Sequence, residues 1–497
     1  MKKILSIAII LLSLCSCDKW LEATSSTQFK ADQIFQTKDG FLDALSGVYI
    51  NMGDINSYGG AATWKYNDLV IYPYITIPGS SSVALFQQRL YDNVNVKPEI
   101  ESIWKAFYNA IANVNMILAN LDAHKDVFTN ECEFNWVKGE CLALRAWLHF
   151  DLMRMFGLPG WSGDNASKLT IPYAMAYSST AVSQLSYSET AELLLSDINA
   201  AIELLKDDPV TGVFPANFDT AINADGYWSN RCYHLNLYAV KGLLARAYLW
   251  DNQYDNAART AQEVIDASFK AGAVSWINCD DEIAKYTNDT KDWTFCSEHL
   301  FTLQVTGIYD KAASFLMPSS SGTANSFRYD SMALATFFLS TAEDLSGQED
   351  MRGPAYLLSY IDGGYASYKL YGTSSSYYRN RMPMMKISEM YYIIAEKAAR
   401  ENDSAAALSQ LNTVRSHRGI THDLSEDSDV MQELAKEYFR EFINEGQTFY
   451  WCKHDLLREY SSLCVGLTNY VFSKGNVAPL MYPYPDEEIY YGRKQEM

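Results

Sequence analysis

Apolar residues recur at three-and-four spacing along much of this 497-residue chain, and that period calls for helices packed on helices. Trp104, Phe107, Tyr108, Ile111, Val114 and Leu118 form one stripe. A second runs from Trp136 to Phe156 through Leu144, Trp147 and Leu148. A third, with Leu193, Ile198, Ile202 and Leu205, opens at Ser188, and Glu189 and Glu192 lie in its first turn, where acids suit a helix N-terminus. Trp104, Trp136, Trp147 and Trp250 fall on such stripes and are assigned to the core. The length exceeds what one small core supports, so the chain forms either two or three domains or one extended helical array.

One pair of stripes carries a repeat signature. Ala245-Arg246-Ala247-Tyr248 is followed by the turn-like Asn252-Gln253-Tyr254-Asp255-Asn256-Ala257 and then by Ala261 and Ile265. Small residues let two helices approach, aromatic ones fill the remaining gap, and the order matches a tetratricopeptide-type hairpin. A second, looser copy runs from Tyr391-Tyr392-Ile393-Ile394-Ala395-Glu396-Lys397-Ala398 through Asn402-Asp403 to Ala406, Leu408 and Leu411. The expected fold is mostly α, a tetratricopeptide-like helical scaffold with long irregular ligand-binding loops and a few short strands.

The irregular stretches are residues 54–95, about 209–230, and 275–378, the last interrupted by strand-like alternation from His299 to Val305. Loops this long are functional or disordered. Their density of Tyr and Trp argues for order, and loops on a rigid scaffold are where binding surfaces sit. The chain divides into a signal segment 1–16, an N-terminal region 17–230 with the loop 54–95, and a C-terminal region 231–497 with the insertion 275–378.

The first residues fix an address. Met1-Lys2-Lys3 precedes an apolar run from Ile4 to Leu14, too short to span a bilayer, which takes about 20 residues. Leu14-Cys15-Ser16-Cys17 resembles a bacterial lipobox with cleavage before Cys17. Cys17 would carry the acyl chains, and several chains on one residue anchor stably where one would be marginal. The alternative is a plain signal peptide that happens to contain cysteines.

The formal net charge of -20 and the lack of a basic stripe exclude nucleic acid as a partner. Seven cysteines follow Cys17, at positions 132, 141, 232, 279, 296, 452 and 464. An odd number in no CxxC pair gives neither a complete disulfide framework nor a zinc site, and most read as small buried hydrophobes. His149 beside Trp147 and Phe150 reads as a core histidine. His417 and His422 have poor metal spacing. No metal, no cofactor and no catalytic residue is assigned, because HExxH, G-x-S-x-G, P-loop and G-x-G-x-x-G patterns are missing from the sequence.

A series of segments then falls in a recognisable order. Cys17-Asp18-Lys19-Trp20-Leu21-Glu22 leads to Phe41-Leu42-Asp43-Ala44-Leu45-Ser46-Gly47-Val48-Tyr49, then to Trp104–Asn115 and to Gly139-Glu140-Cys141-Leu142-Ala143-Leu144-Arg145-Ala146-Trp147, which runs on to Phe156-Gly157-Leu158-Pro159. The second half adds Glu298–Gln304, Asp350-Met351-Arg352, Lys386-Ile387-Ser388-Glu389-Met390-Tyr391, Leu411-Asn412-Thr413-Val414-Arg415-Ser416-His417-Arg418-Gly419, Glu441-Phe442-Ile443-Asn444-Glu445-Gly446, and Tyr482-Pro483-Tyr484-Pro485 before Glu488-Ile489. Together these resemble the SusD/RagB family of Bacteroidetes surface lipoproteins, over nearly the full length. One departure follows Gly446: the family has Arg and then Asp-Leu-x-Arg, whereas here Gln447–Lys453 is aromatic and Asp455-Leu456-Leu457-Arg458 comes later.

The resemblance implies a non-catalytic, lipid-anchored protein on the outer face of the outer membrane. It implies a SusC-like TonB-dependent transporter as partner, to which the protein delivers oligosaccharide, or peptide in the RagB branch. A surface glycoside hydrolase is the alternative from another class. The resemblance places ligand contacts in the loops 54–95 and 275–378 without fixing residues. Aromatic platforms flanked by polar groups suit sugar rings, which selects Asp54, Asn56, Tyr58, Trp64, Tyr66 and Tyr72 in the first loop. Trp276, Trp293, Tyr309, Arg328 and Tyr329 are selected in the second, with Trp64 and Arg328 foremost. Each ring has a competing use, which is to pack its own loop onto the scaffold.

Overall fold

The long apolar stripes fold as antiparallel helices in a computed structural model that describes residues 33–285, 290–317, 327–338, 346–361, 363–372, 378–455 and 478–492. The expected signal segment and Cys17 lie outside these residues. The long helices are α1 (Lys38–Met52), α2 (Lys97–Leu121), α3 (Glu131–Phe156), α4 (Tyr187–Leu204), α5 (Leu237–Trp250) and α6 (Tyr254–Lys270). After the insertion come α7 (Ile387–Arg400), α8 (Ser404–Ser416), α9 (Val430–Glu441) and α10 (Gln447–Asp455). No described helix is long and apolar enough to cross a membrane.

Each start has a local cause. Asn130 caps α3 by accepting the Cys132 N–H at 2.7 Å, with Glu131 and Glu133 in the first turn. The third stripe begins two residues earlier than its first serine predicts. Ser186 is the cap of α4, and Ser186 and Glu189 satisfy each other's backbone donors in a capping box. Both expected hairpins form, and the turn of each contains an asparagine in the left-handed region, Asn252 at φ 60° and Asn402 at φ 62°. Asparagine tolerates that conformation better than any other side chain of its size. Ala245, Ala247, Ala257 and Ala261 are buried at the first hairpin's seam.

Helices pack in sequence order: α2 on α3, α3 on α4, α4 on α5, α5 on α6 and α7 on α8. Helix α6 also packs on α7 although residues 271–386 intervene, so the two hairpins stack and the insertion is extruded from their junction. One hydrophobic core reaches from Phe35 to Tyr482 and draws on helices from both sides of residue 230. Helix α3 is buried on almost every side, which marks it as the central helix. His149 on it is the core histidine expected. Its Nε2 accepts the Ala174 N–H at 3.0 Å, so Nδ1 donates to the Arg145 carbonyl at 2.8 Å.

The insertion supplies the strands. β1 (His299–Gln304), where alternation predicts one, pairs antiparallel with β5 (Arg381–Lys386). A small sheet of β2 (Tyr329–Asp330), β4 (Gly364–Ser367) and β3 (Leu358–Ile361) has the order β2-β4-β3. The two long loops expected to carry ligand contacts meet here. Tyr74 bridges Tyr329, the Ile75 N–H donates to the Arg328 carbonyl at 2.7 Å, and the Asp330 N–H to the Pro73 carbonyl at 2.7 Å. Residues 54–95 are less irregular than composition predicts, with helical turns at Tyr66–Leu69 and Ser82–Gln87.

The recurring acidic and basic motif residues of the second half converge on one buried charge network. Arg418 grips Glu298 through both terminal nitrogens (2.8 and 2.6 Å) and Glu441 at 2.8 and 2.9 Å. Arg352 bridges Asp350, Glu437 and Glu441. Lys386 joins Glu441 to Glu445, and Lys369 adds a second contact to Glu445. Burial of unpaired charge costs several kcal/mol per ion, roughly, so each member requires the others. Gly446, which follows, sits at φ 78° against the backbone of Ala62 and Thr63 and donates its N–H to Asp68 at 3.0 Å. The first loop is thereby fastened to the second half.

Candidate functional site

Most of the selected rings point inward. Trp64 has no exposed surface; its indole N–H donates to the Gly59 carbonyl at 3.1 Å and its ring lies 5.7 Å from Phe315. Tyr58 is buried and donates to Asp151 at 2.6 Å. Tyr66 stacks on Phe86 at 4.0 Å, and Tyr72 donates to the Phe439 carbonyl. Tyr329 is locked against Tyr74, and Trp293 is buried. These six offer no ring face to a ligand in this structure, because apolar faces are worth more in the core than in water. They take the competing use and pack their loops.

The remaining selections are accessible but separate. Asp54 is exposed and accepts the Asn56 N–H at 2.8 Å, an Asx-type turn that occupies the carboxylate locally, and Asn56 is half-buried. Tyr309 is half-buried beneath the Arg379 guanidinium at 4.4 Å. Arg328 is half-buried at the edge of β2. Trp276 alone among the eleven lines a large open cleft that combines aromatic rings with polar groups.

That cleft holds about 780 Å³ and lies where the insertion leaves and rejoins the scaffold. Three rings line it: Trp276, Tyr233 and Tyr378. Trp276 is half-buried, with one face on the His417 ring at 4.3 Å and Tyr391 beside it at 5.3 Å, so its orientation is fixed. Arg381 lies 5.2 Å over Tyr233, and Lys285 lies 5.1 Å over Tyr378. Asn230, Asn278, Asp281 and Gln304 add polar groups to the lining, with Gln304 and Arg381 paired in register at the end of the β1–β5 ladder.

Two further carboxylates in the wall serve the loop itself. Glu282 accepts the Asp292 N–H at 2.8 Å and the Lys285 ammonium at 2.5 Å. Asp292 accepts the N–H groups of Thr294 (3.1 Å) and Cys296 (2.6 Å). Burial pushes the Asp292 carboxyl up, and those donors hold it back. The wall is tied to the buried network as well: the Ile277 N–H donates to Glu298 at 3.1 Å and the Ser275 N–H to the Ser297 carbonyl at 2.9 Å. The cleft is therefore prearranged. Its rings suit the C–H faces of a polar ligand, and its amides, carboxylate and guanidinium suit hydroxyls.

Tyr233, Tyr378, Asn230 and Arg381 escaped the sequence reading. Asn230 and Tyr378 are the end residues of two irregular stretches, so the boundaries themselves were the available signal. No disulfide joins the six described cysteines following residue 130 to one another, and no described group of His, Cys, Asp and Glu is placed to hold a metal.

Residues 19–221 match a SusD-like family described as starch-binding and associating with the outer membrane, and residues 321–488 match the SusD family in its SusD/RagB form. Among solved structures, the chain is similar to a SusD superfamily protein from Bacteroides thetaiotaomicron, with 20% identity and a TM-score of 0.69 over 92% of this chain and 98% of that one. A SusD superfamily protein from Bacteroides vulgatus gives 18% identity and a TM-score of 0.70, over 93% and 98%. A SusD-like carbohydrate binding protein from the same species gives 18% and 0.60, over 85% and 83%. No curated protein matches the chain.

Proposed function

Because the chain belongs to the SusD/RagB family, we propose that it is a non-catalytic glycan-binding lipoprotein that captures oligosaccharide at the cell surface and passes it to a SusC-like TonB-dependent transporter. The observation that carries the glycan reading is the prearranged cleft: three aromatic rings around Asn230, Asn278, Gln304 and Arg381. Sugar rings stack on Trp276 and Tyr378 while hydroxyls bond the amides and the guanidinium. Anchoring through Cys17 and outer-face exposure follow the family pattern and the sequence of the first residues. The carbohydrate binding named for a structural relative and the starch binding named for the matched family agree with this chemistry.

Retarded migration in native gels containing starch, xylan, mannan, pectic galactan or mucin glycan tests the reading with the full chain in non-ionic detergent. Retention by one polysaccharide class, lost in Trp276→Ala, supports it. Retention that survives Trp276→Ala moves the site elsewhere. Release of reducing ends from a retained polysaccharide would replace binding with hydrolysis, and retention by none would favour a peptide ligand. Co-purification of a barrel transporter with the affinity-tagged chain tests the partner.

A further inference from the structure

A second cleft, of about 820 Å³, lies beside the first, and Asn230 and Cys232 line both. Its walls come from the irregular stretch 209–230 and from Ala271–Ala273 at the end of α6, so the end of the first hairpin forms part of it. Phe214 is 55% exposed and stands 4.8 Å from the Phe218 ring, a bare platform at the rim. Asn217 is exposed beside it, held at φ 59° in the left-handed region, and Thr220 is exposed on the next turn. The nearby guanidinium of Arg231 is buried against Asp208 and Glu140 and faces the interior charge. The cleft thus presents mainly neutral donors and acceptors plus an aromatic face, which suits a neutral polyhydroxyl chain better than an anion.

Each cleft alone is already of drug-sized volume, roughly 300–1,000 Å³. Joined across Asn230 they exceed what one or two sugar rings fill. We infer that the two clefts form one extended groove, so that the ligand is an oligosaccharide long enough to stack on Trp276 in the first cleft and on Phe214 in the second. This rests on the glycan reading above. It makes the stretch 209–230 a chain-length gauge.

Isothermal titration of the full chain in detergent with sized ladders from dimer to heptamer of starch, xylan, mannan and galactan provides the test. Affinity is expected to rise with length until the groove is filled. Phe214→Ala, whose exposed ring leaves the core intact, should lower heptamer affinity about fivefold and leave dimer affinity within about twofold. Asn217→Gly keeps the backbone conformation and should weaken only the longer ligands. Equal losses at every length, or none, overturn the extended groove while the Trp276 site stands. Binding of basic peptides that competes with heptamer and is lost in Phe214→Ala overturns it in favour of a peptide groove. No binding to any ladder overturns the glycan reading and this inference together.

Discussion

Arg418 should be the most destabilising single charge to remove. Its side chain has no exposed surface, and four hydrogen bonds between 2.6 and 2.9 Å tie it to Glu298 and Glu441. Arg418→Met preserves much of the volume but removes the cation. Glu441 keeps Arg352 and Lys386, whereas the ion-pair partner of Glu298 is Arg418. The cost is therefore that of one broken buried pair, about 3–5 kcal/mol. Against a total stability of about 5–15 kcal/mol, that is a large fraction. Because the urea slope rises above about 3 kcal/mol/M for a chain this long, unfolding followed by far-ultraviolet dichroism should show a midpoint lowered by roughly 0.5–1 M. Adding Glu298→Gln should restore part of the loss, because a neutral amide oxygen still accepts the Ile277 N–H and leaves no unpaired charge. The Ile277 link also predicts weaker glycan retention in Arg418→Met, since it holds the wall beside Trp276. Lys206→Met, which removes an exposed pair with Glu203, is the control and should leave the midpoint unchanged. If Arg418→Met matches that control, or if the double variant loses the sum of two independent costs, the network argument fails.

Three other outcomes follow from particular residues. Trp64→Ala should cost about 3–5 kcal/mol in the same unfolding assay yet leave glycan affinity of the folded fraction intact, while Trp276→Ala should do the reverse, losing about tenfold in affinity or more with a smaller stability change. Gly446→Ala should lower stability by at least about 1 kcal/mol, because the left-handed backbone is strained and the new Cβ would meet the Ala62 carbonyl at 2.6 Å; Gly79→Ala, also at positive φ but in open space, should cost less. Stability should fall on acidification in two stages. Burial holds His149 and His299 at about 3 against an ordinary 6.5. Burial pushes Glu140 and Glu437 up, but the arginines beside each outweigh it and hold both at about 2 against 4.5. All four folded values are depressed, so their contributions are complete above the unfolded value and are lost as pH falls toward the folded one. The urea midpoint should begin to drop near pH 6.5 and drop faster below 4.5; a flat profile from 6.5 to 5 would show that the two histidines are not held neutral.

The helical part of the fold was legible because its signal is local. A stripe at three-and-four spacing has one buried face whatever it packs on, and the hairpin at Ala245–Ile265 names its own turn through Asn252. The loop 54–95 was legible as ordered but not as to side. Trp64 and Trp276 both sit among mixed polar, small and apolar residues in sequence, yet one is wholly buried and the other lines a cleft. What separates them is a tertiary neighbour: Phe315 closes over the first, and His417 backs only one face of the second. No local pattern carries that information.

The motif residues and the cleft residues answer to different constraints, and this explains why the resemblance was readable in the sequence while the cleft was not. Glu298, Asp350, Arg352, Arg418 and Glu441 are held by one another inside the protein, so changing one strands the rest and the set is read as a pattern. Tyr233, Tyr378, Asn230 and Asn278 border solvent, and a different ring or amide there changes the surface of the cleft without stranding a buried charge. The two sets nevertheless touch at Glu298, which accepts from Arg418 on one side and from the backbone of Ile277 on the other. The buried interior thereby fixes the position of Trp276 while leaving the lining around it free to vary.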